Sequence, residues 1–199
     1  MLTAITQTTQ KAKSPTNDPL LIEPTLLKQV LKPYFSHSTY LKSAVIDDVN
    51  SEALVTARGQ FAIEKSCYID DTGHFNAVEF NICFNQLSYV IVAQCIESGI
   101  FKALNPKWAA LCPKTLQDFF EDQLATILIS KLESKFLRPL NSRAFEGLFT
   151  VDKLSVIKGR LFMHTSIAFY DEQGIAAKGN VLACYVPGLK EVNANAQSH

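Results

Sequence analysis

The chain has 199 residues with 19 basic and 19 acidic side chains, so its formal net charge at pH 7 is zero. This balance gives no reason to expect a nucleic acid or an anionic membrane as a partner. Hydrophobic residues make up 47% of the chain and charged residues 19%, a composition typical of a globular domain and too apolar for a disordered protein.

The ends of the chain and its cysteines bear on domain organisation and location. Residues 1–19 are rich in Thr, Gln and Lys and lack the apolar core of a signal peptide, so we expect a flexible leader. Residues 189–199 are polar and are expected to form a disordered tail, which leaves 20–188 as a single domain. The odd cysteine count and the absence of metal-ligand spacing predict free thiols, no cofactor and a cytoplasmic location.

A short amphipathic helix is predicted between Pro24 and Pro33, because apolar residues recur there at helical spacing and each proline suits one end of a helix. Two strands, 40–49 and 53–63, follow. Both are rich in β-branched and apolar residues, and the Asn-Ser pair between them is typical of a turn. The pattern predicts a hairpin.

An almost uninterrupted apolar run extends from Phe75 to Ile100, with Gly99 as its stop signal. Its length predicts one long helix that is buried nearly all round. Asn76 and Glu79 have the types and spacing of a helix N-cap and its capping-box partner.

In the second half of the chain, the spacing of apolar residues changes from the pattern of a helix to the alternation of strands. Thr115 and Asp118 predict the capped start of a short helix at 115–120. Strands are then expected at 124–137, 145–157, 160–170 and 175–186, separated by glycine-containing turns and joined as an antiparallel meander. Helices gathered on one face of an antiparallel sheet define an α+β fold, and a sheet wrapped around one long apolar helix is the hotdog arrangement.

Three segments carry a resemblance to a known family: 68–89 (YIDDTGHFNAVEFNICFNQLSY), 136–141 (FLRPLN) and the hairpin 169–179. They resemble the FcoT-like hotdog family, and the similarity extends from about Leu26 to Val186. It implies a hotdog fold and hydrolysis of long-chain fatty-acyl thioesters. It also implies a second activity of the group, the addition of glycine to a (2E)-enoyl group on an acyl carrier protein, followed by thioester hydrolysis, in isonitrile lipopeptide biosynthesis.

The resemblance further implies a site of two tyrosines and two asparagines, which correspond here to Tyr34, Tyr68, Asn76 and Asn85. Both reactions place negative charge on the thioester carbonyl oxygen, so one set of hydrogen-bond donors serves both. The helix dipole and the backbone N–H groups of the turn from Gly73 to Ala77 predict an oxyanion hole there.

Side-chain chemistry limits which of these groups can act as a base. Asn85 cannot accept a proton at neutral pH, so its predicted role is to orient water, an amine or the carbonyl, unless it only fills a backbone gap. His74 is the candidate general base, with Glu79, Asp70 and Asp71 as further titratable groups. A glycine carboxylate would need a cation, and the sequence leaves five candidates open: Lys131, Lys135, Arg138, Arg58 and Lys65.

The complete prediction comprises a catalytic group and a substrate-binding group. The catalytic group is Tyr34, Tyr68, Asn76, Asn85 and His74, and the substrate-binding group is Gly73, Ala77, Glu79, Tyr89 and Lys131. No metal site is expected. Glycine addition with thioester release is the leading hypothesis, a plain long-chain acyl-CoA thioesterase is the second, and a non-catalytic acyl-binding protein is the third. A homodimer or higher homo-oligomer is expected, because an isolated sheet edge and helix face need a partner.

Overall fold

The computed structural model describes residues 18–50, 53–70 and 75–186. The predicted tail at 189–199, nearly all of the predicted leader at 1–19, and Asp71, Gly73 and His74 lie outside these ranges. The elements in chain order are β1 (Leu20–Leu21), α1 (Pro24–Leu31), a 3-10 helix (Ser36–Ser38), β2 (Leu41–Asp48), β3 (Val55–Phe61), α2 (Ala77–Glu97), α3 (Ile100–Leu104), α4 (Pro106–Ala109), α5 (Leu116–Thr126), β4 (Ile127–Phe136), β5 (Phe145–Ile157), β6 (Arg160–Asp171) and β7 (Gly174–Tyr185).

The strands form one antiparallel sheet in the order β1-β2-β3-β5-β6-β7-β4. The long helix α2 lies against one face of it, so the α+β class and the hotdog arrangement are confirmed. None of the helices in the described part of the chain is long and apolar enough to cross a membrane.

The contact between α2 and the sheet is aromatic. Along β5, side chains alternate between buried and less buried, which turns Phe149 toward the helix. The Phe84 ring lies 6.0 Å from that of Phe149, and the Phe80 ring lies 5.2 Å from that of Phe169 on β6. All four rings are almost completely buried. Burial of each stabilises the fold by about 1.5–3 kcal/mol, so this contact is a major part of the core.

Helix α2 begins and ends as its sequence predicts. The Asn76 side chain accepts a hydrogen bond from the Val78 N–H, and Gly99 follows the helix with a φ of 68°. Burial differs from the prediction along one stripe, where side chains at helical spacing are exposed or half-buried: Val78, Asn81, Ile82, Asn85, Val92 and Ile96.

Other boundaries differ for physical reasons. The capping box of α5 is confirmed, but the helix continues to Thr126, because its Gln123 is buried and donates to the Val30 carbonyl at 3.3 Å. The strand predicted from residue 124 therefore begins at Ile127. It pairs with β7 at the far edge and so does not continue the meander. The short elements β1, α3 and α4 were not predicted.

The connection after β4 is fixed to the turn between β6 and β7 by one buried carboxylate. The Arg138 guanidinium donates to both Asp171 oxygens at 3.1 and 2.5 Å, and the backbone N–H groups of Asn141 and Gln173 donate at 3.0 and 2.9 Å. The Asp171 side chain is only 2% exposed. Two of the three segments that carry the family resemblance therefore contact each other.

This arrangement predicts an acid-dependent loss of stability. Arg138 and the backbone donors hold the pKa of Asp171 well below its usual range. The pair therefore stabilises the folded chain above the unfolded aspartate pKa of about 3.9, and this stabilisation is lost as pH falls toward the folded-state pKa. We expect Asp171→Asn to lower the free energy of unfolding at pH 7 by about 1–3 kcal/mol, measured by urea denaturation.

The matched control is Asp47→Asn, which removes an ion pair to Arg58 at an exposed position. It should change the free energy of unfolding by less than about 1 kcal/mol. If the Asp171 variant loses as much stability between pH 7 and pH 3 as the unmodified chain does, Asp171 is not the source of the acid-dependent term.

Candidate active site

The side chains of Tyr68 and Asn76 meet at the start of α2. The side-chain Nδ2 of Asn76 donates to the Tyr68 hydroxyl oxygen at 2.8 Å, while the side-chain Oδ1 of Asn76 accepts from the Val78 N–H at 2.8 Å. Asn76 therefore links the first turn of the helix to the tyrosine. Each hydrogen bond in such a chain polarises the next, which makes the Tyr68 O–H a stronger donor.

The geometry leaves the Tyr68 proton available to a ligand. The hydroxyl oxygen accepts from Asn76, and its own O–H has no acceptor among the described residues. Tyr68 is 49% exposed, so a ligand can reach it. Next to it, Ala77 occupies the first helical position and is exposed. The N–H groups in the first turn of a helix lack intrahelical acceptors, and the helix dipole is positive there. This end of α2 can therefore stabilise an oxyanion.

Tyr68 lies in a segment without regular secondary structure, and Glu79 helps to hold it. The Ser66 hydroxyl donates to Glu79 Oε1 at 2.8 Å, and Glu79 is only 2% exposed. The predicted capping-box role of Glu79 is therefore wrong, because its side chain turns into the core instead of back to Asn76. Its Oε2 has no hydrogen-bond partner within the described residues.

Tyr34 and Tyr89 form a second location, further along the helix. Tyr34 follows α1 and is half-buried. Burial raises the pKa of Tyr34, and the nearby Tyr89 and Cys83 on α2 raise it further. The Tyr89 ring is buried and packs edge-on against Phe119 at 6.4 Å. Burial also raises the pKa of Tyr89, so both phenols stay protonated at neutral pH and can donate a hydrogen bond. No hydrogen bond in the described ranges joins them to the Tyr68–Asn76 pair.

Asn85 lies between these two locations on the half-exposed stripe of α2. It is nine residues after Asn76, which is about 13 Å along the helix axis. Its amide forms no hydrogen bond with the part of the chain that the structure describes. One turn earlier, the buried Asn81 Oδ1 also has no partner there. The predicted role of Asn85 stays a prediction.

The structure places Lys131 away from the N-terminal end of α2. It lies on β4, about 17 Å along the strand from Phe136, whose ring faces Phe75 at a centroid distance of 6.4 Å. Lys131 is ion-paired with Glu133 at 2.7 Å, and both side chains are exposed. Among the described residues, no group of His, Cys, Asp or Glu side chains has the arrangement of a metal site.

Gln86 is a structural residue of this region that the sequence does not reveal. Its side chain is fully buried and satisfies three backbone groups before and at the start of β2. Its Oε1 accepts from the N–H groups of Tyr40 and Leu41, both at 2.9 Å, and its Nε2 donates to the Ser38 carbonyl at 2.6 Å. Gln86 thereby fixes the segment that connects Tyr34 to the sheet. On a helix of apolar residues, only its polarity could have marked it.

We expect Gln86→Met to destabilise the fold by about 2–5 kcal/mol, because two buried N–H groups and one carbonyl lose their partners while side-chain volume is retained. Urea denaturation monitored by circular dichroism measures this. The control is Gln117→Met, since Gln117 is exposed on α5 and bonds only to Glu121 among the described side chains. A Gln86 variant as stable as this control would show that water satisfies the backbone groups equally well.

Comparison with known proteins identifies the family of the chain. Residues 29–184 match the family described as FcoT-like thioesterase domain. A (2E)-enoyl-ACP glycyltransferase of Streptomyces coeruleorubidus is 43% identical over 147 residues, covering 72% of this chain and 84% of that protein. The protein of the same name from Mycobacterium marinum is 37% identical over 160 residues, covering 78% and 82%.

Solved structures share the fold at low sequence identity. The dehydratase domain of RzxB from Pseudomonas fluorescens superposes with a TM-score of 0.51 at 12% identity, covering 84% of this chain and 50% of that one. The dehydratase domain from the CurJ module of curacin polyketide synthase gives 0.50 at 13% identity, covering 86% and 51%. The family match includes α2, the Tyr68–Asn76 pair and the Arg138–Asp171 contact, and the chain belongs to the FcoT-like thioesterase domain family.

Proposed function

We propose that this chain adds glycine to a (2E)-enoyl group on an acyl carrier protein and then hydrolyses the thioester. The product is an N-carboxymethyl-3-amino fatty acid, as isonitrile lipopeptide biosynthesis requires. The observation that supports the proposal best is the chain of hydrogen bonds from the first turn of α2 through Asn76 to Tyr68. It presents one polarised O–H donor beside exposed backbone at a helix N-terminus.

These donors suit both chemical steps. Attack of an amine on carbon 3 of an enoyl thioester moves charge onto the carbonyl oxygen as an enolate. Attack of water on the carbonyl carbon moves charge onto the same oxygen in a tetrahedral intermediate. A donor that is already oriented stabilises both species without reorganisation, and loss of one such donor typically costs about 3–4 kcal/mol in the transition state. The proposed position of the carbonyl oxygen is beside the Tyr68 O–H and the N-terminus of α2.

The acyl chain is proposed to extend along α2 away from Asn76. Past Asn85, Ser88, Tyr89 and Val92 contribute to a pocket of about 40 Å³, whose other lining side chains are largely apolar. The pocket is apolar but holds only a small part of an acyl chain, so it supports the direction proposed for the chain and not its length. In this direction Asn85 lies about 13 Å from Asn76 along the helix and Tyr89 lies further still, so Tyr34, Asn85 and Tyr89 are proposed to contact the acyl chain well beyond carbon 3.

The relatives support the same activity. Proteins at 37–43% identity are named (2E)-enoyl-ACP glycyltransferase. The second candidate is hydrolysis alone, which the description of the matching family favours. An amine brings its own nucleophile, whereas hydrolysis needs a base that activates water. Tyr68 and Asn76 supply donors and no base that could activate water, whereas an amine becomes a nucleophile once its ammonium group loses a proton, which is far more acidic than a proton of water. His74, outside the described residues, stays the predicted base for hydrolysis.

We also infer a homo-oligomer. The described surface includes exposed apolar side chains on the edge strand β4, Leu128 and Ile129, at 43% and 39% exposure. The half-exposed stripe of α2 carries Val78, Ile82 and Asn85. A second copy that covers either surface would remove apolar area from water. On the α2 stripe it would also offer hydrogen-bond partners to the side-chain amides of Asn81 and Asn85, for which the described residues provide none.

We expect Tyr68→Phe to lower kcat/KM for glycine addition about 10²–10³-fold, because the fold is kept and one oriented donor is lost. The purified chain is incubated with a (2E)-enoyl carrier-protein thioester, with and without glycine, and both the carrier and the released acid are followed by mass spectrometry. The control is Tyr170→Phe, which removes a hydroxyl that bonds Glu146 on the sheet. It should keep activity within about twofold.

The assay separates the three candidate functions. A glycine-dependent adduct followed by release of the amino acid product supports the proposal. Release of free enoic or saturated acid at the same rate with and without glycine means a thioesterase, and no turnover with bound acyl chain means an acyl-binding protein. Equal activity of Tyr68→Phe and the unmodified chain contradicts the role of the Tyr68 hydroxyl.

Light scattering after size-exclusion chromatography tests the oligomer. We expect a mass of two or more monomers, and we expect Leu128→Lys to shift it downward if β4 is the contact. The control is Leu21→Lys, because Leu21 is 64% exposed on β1, at the opposite edge of the sheet. A monomeric mass at micromolar concentration excludes the oligomer.

A further inference from the structure

The open groove beside Tyr68 has the chemistry of a site for an amino acid. We propose that it binds the amino-acid co-substrate, with Lys65 holding the carboxylate, Asp70 holding the ammonium group and His37 accepting the proton that the amine must lose. The inference rests on the proposed glycine addition and extends it by assigning the co-substrate site.

The groove has a volume of about 510 Å³ and opens to solvent. Its lining comes from two parts of the chain, a single residue before β2 and a continuous segment after β3. These are His37 on the one side, and Lys65, Ser66, Cys67, Tyr68, Ile69 and Asp70 on the other. Because Tyr68 belongs both to the groove and to the hydrogen-bonded pair with Asn76, a ligand in the groove lies next to the proposed thioester position.

Buried side chains of α2 hold both sides of the groove. Gln86 donates to the Ser38 carbonyl, immediately after His37, and it is fully buried. Glu79 accepts from Ser66, immediately after Lys65, and it is 2% exposed. The His37 ring also stacks on Phe35 with a centroid distance of 5.7 Å and an interplanar angle of 5°. The two flanks are thus held at a fixed separation by the same helix.

The charges of the groove complement a zwitterion. Glycine carries a carboxylate and an ammonium group two bonds apart, and the groove offers one cation and one carboxylate within a stretch of six residues. Of the five cations that the sequence left open, three are ion-paired: Arg58 with Asp47, Lys131 with Glu133 and Arg138 with Asp171. Lys65 has no ion-pair partner in the described ranges. Lys135 has none either, but it lies on β4 in a groove that does not contain Tyr68.

The reaction balances with these groups. His37 removes one proton from the ammonium group, which frees the nitrogen lone pair. A C–N bond forms at carbon 3 of the enoyl thioester, and the electrons of the C2–C3 double bond move to the carbonyl oxygen as an enolate that Tyr68 stabilises. The imidazolium of His37 returns its proton to carbon 2 through solvent, and the nitrogen loses its second proton to water. No oxidant or reductant is needed.

The decisive experiment compares glycine with glycinamide, which has the amine but no carboxylate, in the unmodified chain and in Lys65→Met. A charged hydrogen bond of this kind is worth about 10- to 100-fold in binding. We expect Lys65→Met to raise the KM for glycine about 10-fold or more and to leave kcat/KM for glycinamide and the KM for the enoyl carrier protein unchanged. The preference for glycine over glycinamide should fall by the same factor.

Two further variants make the result specific. Lys65→Arg keeps the charge and should keep the KM for glycine within a few-fold, whereas Lys153→Met removes an exposed lysine on β5 and should change nothing. An equal loss with glycine and glycinamide would mean that Lys65 is structural, which overturns the assignment. So would an effect of Lys135→Met on the KM for glycine together with no effect of Lys65→Met.

His37 is tested by the division of its effect between kcat and KM. We expect His37→Gln to lower kcat for glycine addition about 10²–10⁴-fold while the KM for glycine changes little, since Lys65 still binds the carboxylate. The same substitution at His74 should leave the addition step faster than in His37→Gln. The opposite order assigns the proton transfer to His74 and removes His37 from the proposal.

A binding measurement separates failure of the site from failure of the proposed function. Carbon-13 glycine is titrated with the purified full-length chain, and binding is followed by the broadening of the glycine NMR line. Broadening that disappears in Lys65→Met supports the site, even if turnover proves independent of glycine and the proposed function fails. Glycine-dependent turnover combined with unchanged broadening in Lys65→Met overturns the site and leaves the proposed function standing.

Discussion

The structure depends on enclosing one helix in apolar surroundings on all but one stripe of its surface. The backbone of α2 satisfies its own hydrogen bonds, but any polar side chain on its buried faces must find a partner. Gln86 finds its partners at the 3-10 helix before β2 and at the start of β2, and Glu79 finds one in the segment after β3 that has no regular secondary structure. Because these buried groups need hydrogen-bond partners, they hold the segments around the candidate site in fixed positions relative to the helix.

This arrangement places reactive groups on loops while their supports lie on the most buried element. The aromatic contacts of Phe80 and Phe84 keep α2 in register with the sheet. Gln86 then fixes the segment of Tyr34 and His37, Glu79 fixes the segment of Lys65 and Tyr68, and Asn76 aligns the Tyr68 hydroxyl. Each of these supporting residues lies on or next to one helix, so a shift of α2 would move every proposed group together and preserve their spacing.

The sequence predicted the architecture well because its signals are local or periodic. The length of an apolar run marked α2, the alternation of apolar residues marked the strands, and the Thr115–Asp118 pair marked α5. The sequence-based prediction failed where the outcome depends on contacts between residues that are far apart in the sequence. Glu79 has the spacing of a capping-box residue, yet a buried Ser66 competes for it, and the length of α5 depends on a contact between Gln123 and α1. Tyr68 and Asn76 were identified by family resemblance. Gln86 lies inside a resembling segment that assigns it no role, and His37 lies in none of the three segments, so only three-dimensional proximity gives these two residues a role.

The order of strands also determines when the molecule can be completed. β4 follows α2 and α5 in the chain, but its neighbour in the described sheet is β7, the last strand. During synthesis from the N-terminus, β4 has no neighbouring strand, and one side of α2 stays exposed, until β5, β6 and then β7 have been synthesised. Such long-range closure is slow, and it exposes apolar strands to other chains. Newly made chains of this protein should therefore depend on chaperones until β7 leaves the ribosome, and premature termination within β7 should yield insoluble fragments.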